Sequence, residues 1–135
     1  MAEIEEVLRW RLNTYSGTSA LLSGRIYPMQ LPQGTASASA TYQKISGPRD
    51  HTHQGPTGLA SPRYQITAWS KQYSEAKAVA KQVRLALDGW FGSALGHVVS
   101  AVQLENEYDI YNPETLVEFY SVPVDFIVWH HEETT

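Results

Sequence analysis

The sequence predicts an α+β domain. It should hold a single antiparallel sheet of about four to five strands, mixed at most at an edge, with two helices packed on one face. Three observations carry this. Two segments repeat apolar residues at helical spacing, and several others alternate apolar and polar residues in the manner of half-buried strands. Helices and strands are interleaved along the chain with no sequence repeat. The length, 135 residues, suits one domain spanning 1–135, and a hydrophobic fraction of 42% is enough to form its core.

Residues 3–15 open the fold as a helix. Ile4, Val7, Leu8, Leu12 and Tyr15 form one apolar face, and Glu5 stands four residues before Arg9 in the favourable order. Gly17 is read as its end. Residues 18–22 add a further turn that stops at Gly24, and Arg25, Ile26 and Tyr27 make a short strand closed by Pro28. The stretch 28–40, PMQLPQGTASASA, reads as a surface connection. Residues 41–45 form the next strand. After the segment 47–58, Tyr64, Ile66 and Ala68 alternate with Arg63, Gln65 and Thr67, with Trp69 near the strand end.

Ser74 is a suitable N-cap for the second helix. Its stripe is Ala76, Val79, Ala80, Val83 and Leu87, its wet side is Lys77, Lys81 and Arg84, and Gly89 ends it. Residues 97–108 follow as a strand with Val98, Val102 and Leu104 inward and Glu105, Glu107 and Asp109 outward. Asn112, Pro113 and Glu114 signal a turn. The last strand shows the clearest pattern: Tyr120, Val122, Val124, Phe126 and Val128 alternate and must line the core. Its opposite face carries Phe119, Ile127 and Trp129, so that face is not fully wet. Pro123 breaks the donor ladder, which predicts an edge position or a bulge. The polar end, from about 131 to 135, is expected to be loose.

Composition narrows the function. The chain has no cysteine, which removes disulfides, thiolate metal sites and cysteine nucleophiles. A net charge of -4 with no Lys/Arg cluster argues against binding through nucleic-acid phosphates. No apolar run approaches a membrane span, and the acidic start, MAEIEEVLRW, differs from a secretory signal. No GxSxG, P-loop, GxGxxG or HExxH pattern is present, so enzyme function has no positive support and no cofactor is implied.

The segment GPRDHTHQGPTG, residues 47–58, holds two of the five histidines between two strand-like runs. His51 and His53 are two apart, which on a strand puts both on one face, and Asp50 could add an oxygen ligand. A zinc site needs three or four converging groups, and no third ligand stands at a suitable spacing. A small metal-dependent hydrolase using His51 and His53 is therefore the minority reading. Glu105, Glu107 and Asp109 could serve acid–base chemistry, although alternating charge on a strand more often marks a solvated face. The glycines and prolines of 47–58 fit turns and an irregular path that adds little to the core. On its residues alone it is a polar exposed loop. The four tryptophans and the Phe119, Ile127 and Trp129 face either complete a small core or pack on a neighbouring subunit, Trp being favoured at interface centres.

An ordered set of short stretches carries a family resemblance. They are GRIYPMQLPQG at 24–34, YQKISGPRDHTHQGPTGLASPRYQITAWS at 42–70, YSEAKAVAKQVRLALDG at 73–89 and DIYNPETLVEFYSVPVDFIVWH at 109–130. Together they resemble the tail-completion family of tailed phages, whose members are tail terminators or tail-to-head joining proteins. The resemblance covers nearly the whole chain, and its specificity comes from many weak matches in order. It implies an α+β subunit that assembles as a ring, usually a homohexamer, on the head-proximal end of the tail tube. Such a ring stops tube polymerisation and offers a surface for the head, and it gives the segment 47–58 a role in protein contact, through Arg49, Asp50, His51, His53 and Gln54, with a neighbouring subunit or the tube. The implied partners are further copies of the chain, the major tail tube protein and a head-completion or connector protein. DNA would pass through the ring without specific binding. The implied location is the neck of a virion, prophage particle or gene transfer particle assembled in the host cytoplasm. A head-completion or connector role is the alternative within the same class.

Overall fold

The computed structural model describes residues 4–32, 37–46, 49–52, 55–111 and 119–131, with the backbone alone at 46, 49–52, 55–59, 111 and 131. The elements run α1 (Ile4–Thr14), α2 (Ser16–Leu22), β1 (Ile26–Pro28), β2 (Ser39–Ser46), β3 (Arg49–Thr52), β4 (Gly55–Ala60) and β5 (Arg63–Ser70). They continue as α3 (Tyr73–Leu87), β6 (Gly92–Ala94), β7 (His97–Glu107), β8 (Ile110–Tyr111) and β9 (Tyr120–His131). The α+β class is as expected. The element count is larger: three helices and nine strands among the described residues, against two helices and four to five strands.

The extra helix arises where the first was expected to stop. Tyr15, not Gly17, breaks the path, with φ -77° and ψ 123°. Thr18 then donates to the Leu12 and Tyr15 carbonyls at the end of α1. Gly17 lies inside α2, where a Cβ would collide with the Gln82 side chain of α3. A side chain here would require the end of Gln82 to move aside. At α3 the cap is Gln72 rather than Ser74. Ser70 accepts from the Gln72 N–H and donates to Glu75, tying β5 to the first turn of α3. Gly89, at φ +79°, ends the helix as expected.

The sheet runs β1-β2-β5-β9, and β7 lies on the other side of β9 with β6 beyond it. All pairings are antiparallel except β1 with β2, so the edge is mixed. Even-numbered residues of β2, β5 and β9 face the helices. Tyr42, Tyr64, Ile66, Val122, Val124, Phe126 and Val128 are buried there against Val7, Leu8, Leu12, Val79, Val83 and Leu87. Ala40, Ala68, Ala76 and Ala80 keep that layer thin.

Three expectations are corrected. First, Pro123 is not on an edge: β9 is central, paired with β5 on one side and with β7 and β8 on the other. The Pro123 carbonyl accepts from Tyr108 N–H, so its missing donor points to the side where β7 ends and β8 has not begun. The ladder to β5 is untouched. Second, Val98 points out and Val99 in. Irregularities between Val99 and Ala101 and between Leu104 and Asn106 reset the alternation of β7.

Third, the described parts of 47–58 are strands, not an irregular loop. Ser46 faces Arg63, and Arg49 faces Ala60, so β3 and β4 continue the β2–β5 hairpin. Leu59 and Ala60 also carry on the β5 pairing with β9, facing His131 and His130. Val128 N–H donates to the Pro62 carbonyl across the join. Backbone pairing requires no apolar alternation. A two-stranded ribbon also has two open outer sides, which tolerate a residue such as Pro56. The turn expected at 112–114 and the polar end at 132–135 lie outside the described residues, as do His53 and Gln54.

The outer edge of β7 is closed by the chain leaving α3. Gly89 N–H donates to the Val102 carbonyl at 2.8 Å, and the Asp88 carboxylate accepts from Leu104 N–H at 3.0 Å.

Candidate functional site

The odd-numbered residues of β2, β5 and β9 form the sheet face away from the helices. Thr41, Gln43, Gln65, Thr67, Trp69, Ser121, Asp125, Ile127 and Trp129 lie on it, placed by the register. The period of two that buries Val124, Phe126 and Val128 on one side necessarily brings Ile127 and Trp129 together on the other. Both are half-buried, as is Phe119 just before β9. Ile127 stands between Arg63 of β5 and Gln103 of β7, and Trp129 stands opposite Ala101.

This face is partly dry even in the single chain. The Trp69 indole N–H donates to Thr41 Oγ1 at 2.9 Å, and Phe119 meets Trp69 edge-to-face at 6.3 Å. Thr41, Thr67 and Ser121 are buried on this face. At the centre, Asp125 is buried and takes two hydrogen bonds, from Arg63 Nη2 and Gln65 Nε2, each at 2.9 Å. A buried carboxylate is tolerated only when so paired. This network fixes β5 against β9 and gives the face a flat polar centre between two aromatic ends. Sequence reasoning missed it; the available signal was an acid in the middle of an apolar strand.

The candidates of 47–58 connect to this face. Arg49, Asp50 and His51 lie in β3, where the backbone is described. Among the described residues, β3 and β4 pair only with each other beyond Leu59, which faces His131 of β9. The ribbon therefore projects past the sheet from the end at which Trp129 sits. The structure brings Trp129 and the base of this arm to one end of the molecule. Phe119 lies at the opposite end of β9, about 33 Å away for ten residues of strand.

The acidic residues do not form one row. Glu107 falls on the helix side, 3.2 Å from Arg84, while Glu105 is exposed. Asp109 accepts from the Tyr73 hydroxyl and from Lys77 Nζ at 3.0 Å. The Tyr73 and Lys77 hydrogen bonds hold the Asp109 carboxyl below its ordinary value and raise both donors. Two of the three acids are thus bound in ion pairs. Among the described residues, no three His, Asp or Glu side chains gather in a metal-binding group, and no helix is long and apolar enough to cross a membrane.

The comparisons with known proteins bear on the family and the fold. The family described as "Tail completion protein gp17" matches residues 6–131. No curated protein matches the chain. Among solved structures, a chain of "Virion of native gene transfer agent (GTA) particle" superposes with a TM-score of 0.68 at 15% identity. The match covers 92% of this chain and 91% of that one, and it shows a shared fold. With the match running from within α1 to the end of β9, the chain belongs to the phage tail-completion family.

Proposed function

We propose that this protein is a structural virion component, a tail terminator or tail-to-head joining protein. Copies form a ring, most simply a hexamer, on the head-proximal end of the tail tube. The ring stops tube polymerisation and offers the surface to which the head attaches. The observation that carries this is the family match over 6–131. The similar fold of a gene transfer agent virion chain and the absence of any catalytic motif support it. The net charge of -4 also suits a ring through which DNA passes without being held.

In this reading the projecting arm, with Arg49, Asp50, His51, His53 and Gln54, reaches the tube or a neighbouring copy. The helix-free face, with Phe119, Ile127 and Trp129, is covered in the assembly. A two-stranded ribbon without sheet support is marginal in water, which favours a partner for the arm. The test is electron microscopy of particles from a strain lacking the gene. The expected result is filled heads beside unjoined tails of abnormal length. Tails of normal length joined to heads would sink the proposal. Purified protein that binds filled heads but not isolated tails would favour the connector role instead.

A further inference from the structure

Two opposite edges of the sheet share unusual chemistry. β1 ends one side and β6 the other, and each is only three residues long. Beside β1 stands Met29, and beside β6 stands Phe91. These are the two most exposed large hydrophobic side chains among the described residues, at 66% and 73%. Leu95 and Val98, at the tip of the β6–β7 hairpin, are also exposed. Both edges lie in stretches without Asp, Glu, Lys or Arg, 26–43 and 89–104. Sheet edges that meet only water are usually guarded by charge, and exposed apolar groups clustered at an edge mark contact sites.

From this juxtaposition we infer that the β6–β7 hairpin of one copy, led by Phe91, seats against the β1–Met29 edge of the next copy. The inference rests on the ring reading above and names the contact within it. A ring closes through heterologous interfaces, which need two different patches on opposite sides of one subunit. These two edges meet that requirement. Copies of an acidic chain repel one another, and two edges with no Asp, Glu, Lys or Arg within 26–43 and 89–104, flanked only by Arg25, Lys44, Asp88 and Glu105, bring few like charges together. The contact is made by side chains. β1 is too short to extend a ladder and ends in Pro28, and the outer edge of β7 is already occupied at Val102 and Leu104.

The chain has no cysteine, so thiols can be placed at will. Met29→Cys and Phe91→Cys variants would be made singly and together, and introduced into particles in a strain lacking the gene. They would then be treated with a short bifunctional thiol reagent. A mixture of the two single variants should give a covalent dimer that neither gives alone. The double variant should give a ladder at multiples of 15.1 kDa. In solution, Phe91→Asp should weaken self-association about tenfold or more while the thermal melt is kept. Copies that assemble in particles without cross-linking at this pair would overturn the inference and leave tail completion standing. Dimers from Met29→Cys alone would replace it with a two-fold contact. A protein absent from tails would overturn both.

Discussion

β9 and the β3–β4 arm are both extended backbone, yet they differ in almost every support. β9 has strands on both sides and helices over one face, and Val122, Val124, Phe126 and Val128 are almost wholly buried. Beyond Leu59, the arm's strands pair only with each other among the described residues. Strand geometry costs the same ordering entropy in both places, and β9 recovers it through the apolar burial of these residues. Stability is therefore concentrated at the sheet centre. Under the contact role proposed for the arm, its loss should affect assembly far more than folding.

The largest effect expected from this contrast is at Phe126, which is 1% exposed in β9. Phe126→Ala should cost about 3–5 kcal/mol, because the helix layer cannot collapse fully into the cavity. Denaturant unfolding would measure it, and a loss below 1 kcal/mol would show that β9 is not the energetic centre. Next is Trp129, half-buried on the other face of the same strand. Trp129→Glu should cost about 1–2 kcal/mol of subunit stability but abolish assembly on tails. An unfolded variant would move Trp129 into the core. Smaller again is removal of residues 51–57, expected to cost about 1 kcal/mol or less by loop-closure scaling. That variant should be folded and soluble yet fail to complete tails. Full activity would reduce the arm to a spacer.

These regions also differ in how far the sequence reveals them. Alternation is legible in β9 because one face must be dry, and the same period placed Ile127 and Trp129 together. In β7 two irregularities break that period, so Val98 was assigned inward when Val99 is the buried residue. The arm leaves no pattern at all. Its ladder is inherited from β2 and β5, and backbone hydrogen bonds impose no side-chain code. The Asp125 network was equally silent, since its donors Arg63 and Gln65 lie 62 and 60 residues away. The third helix was hidden for a related reason: Gly17 reads as a stop, while it lies inside α2 beside the Gln82 side chain of α3.

The smallest expected effect is electrostatic and belongs to neither region. Asp109 is held below its ordinary 3.8 by Tyr73 and Lys77, so its contribution is present above that value and lost as pH falls through the lowered one. Tyr73 and Lys77 are raised above 10.0 and 10.5, so their contribution is present below those values and lost as pH rises through the raised ones. Asp109→Asn should flatten both flanks of the melting-temperature profile and change little between them. Unchanged flanks would show that the three groups are solvated independently.

The short passage after α3, where Gly89 and Asp88 engage Val102 and Leu104, has a consequence for life in a crowded cell. A bare strand margin is a template on which identical chains can stack without limit into fibres. Here a carboxylate and one amide occupy the margin before another molecule can. A subunit proposed to end the growth of one polymer is thereby kept from starting another of its own.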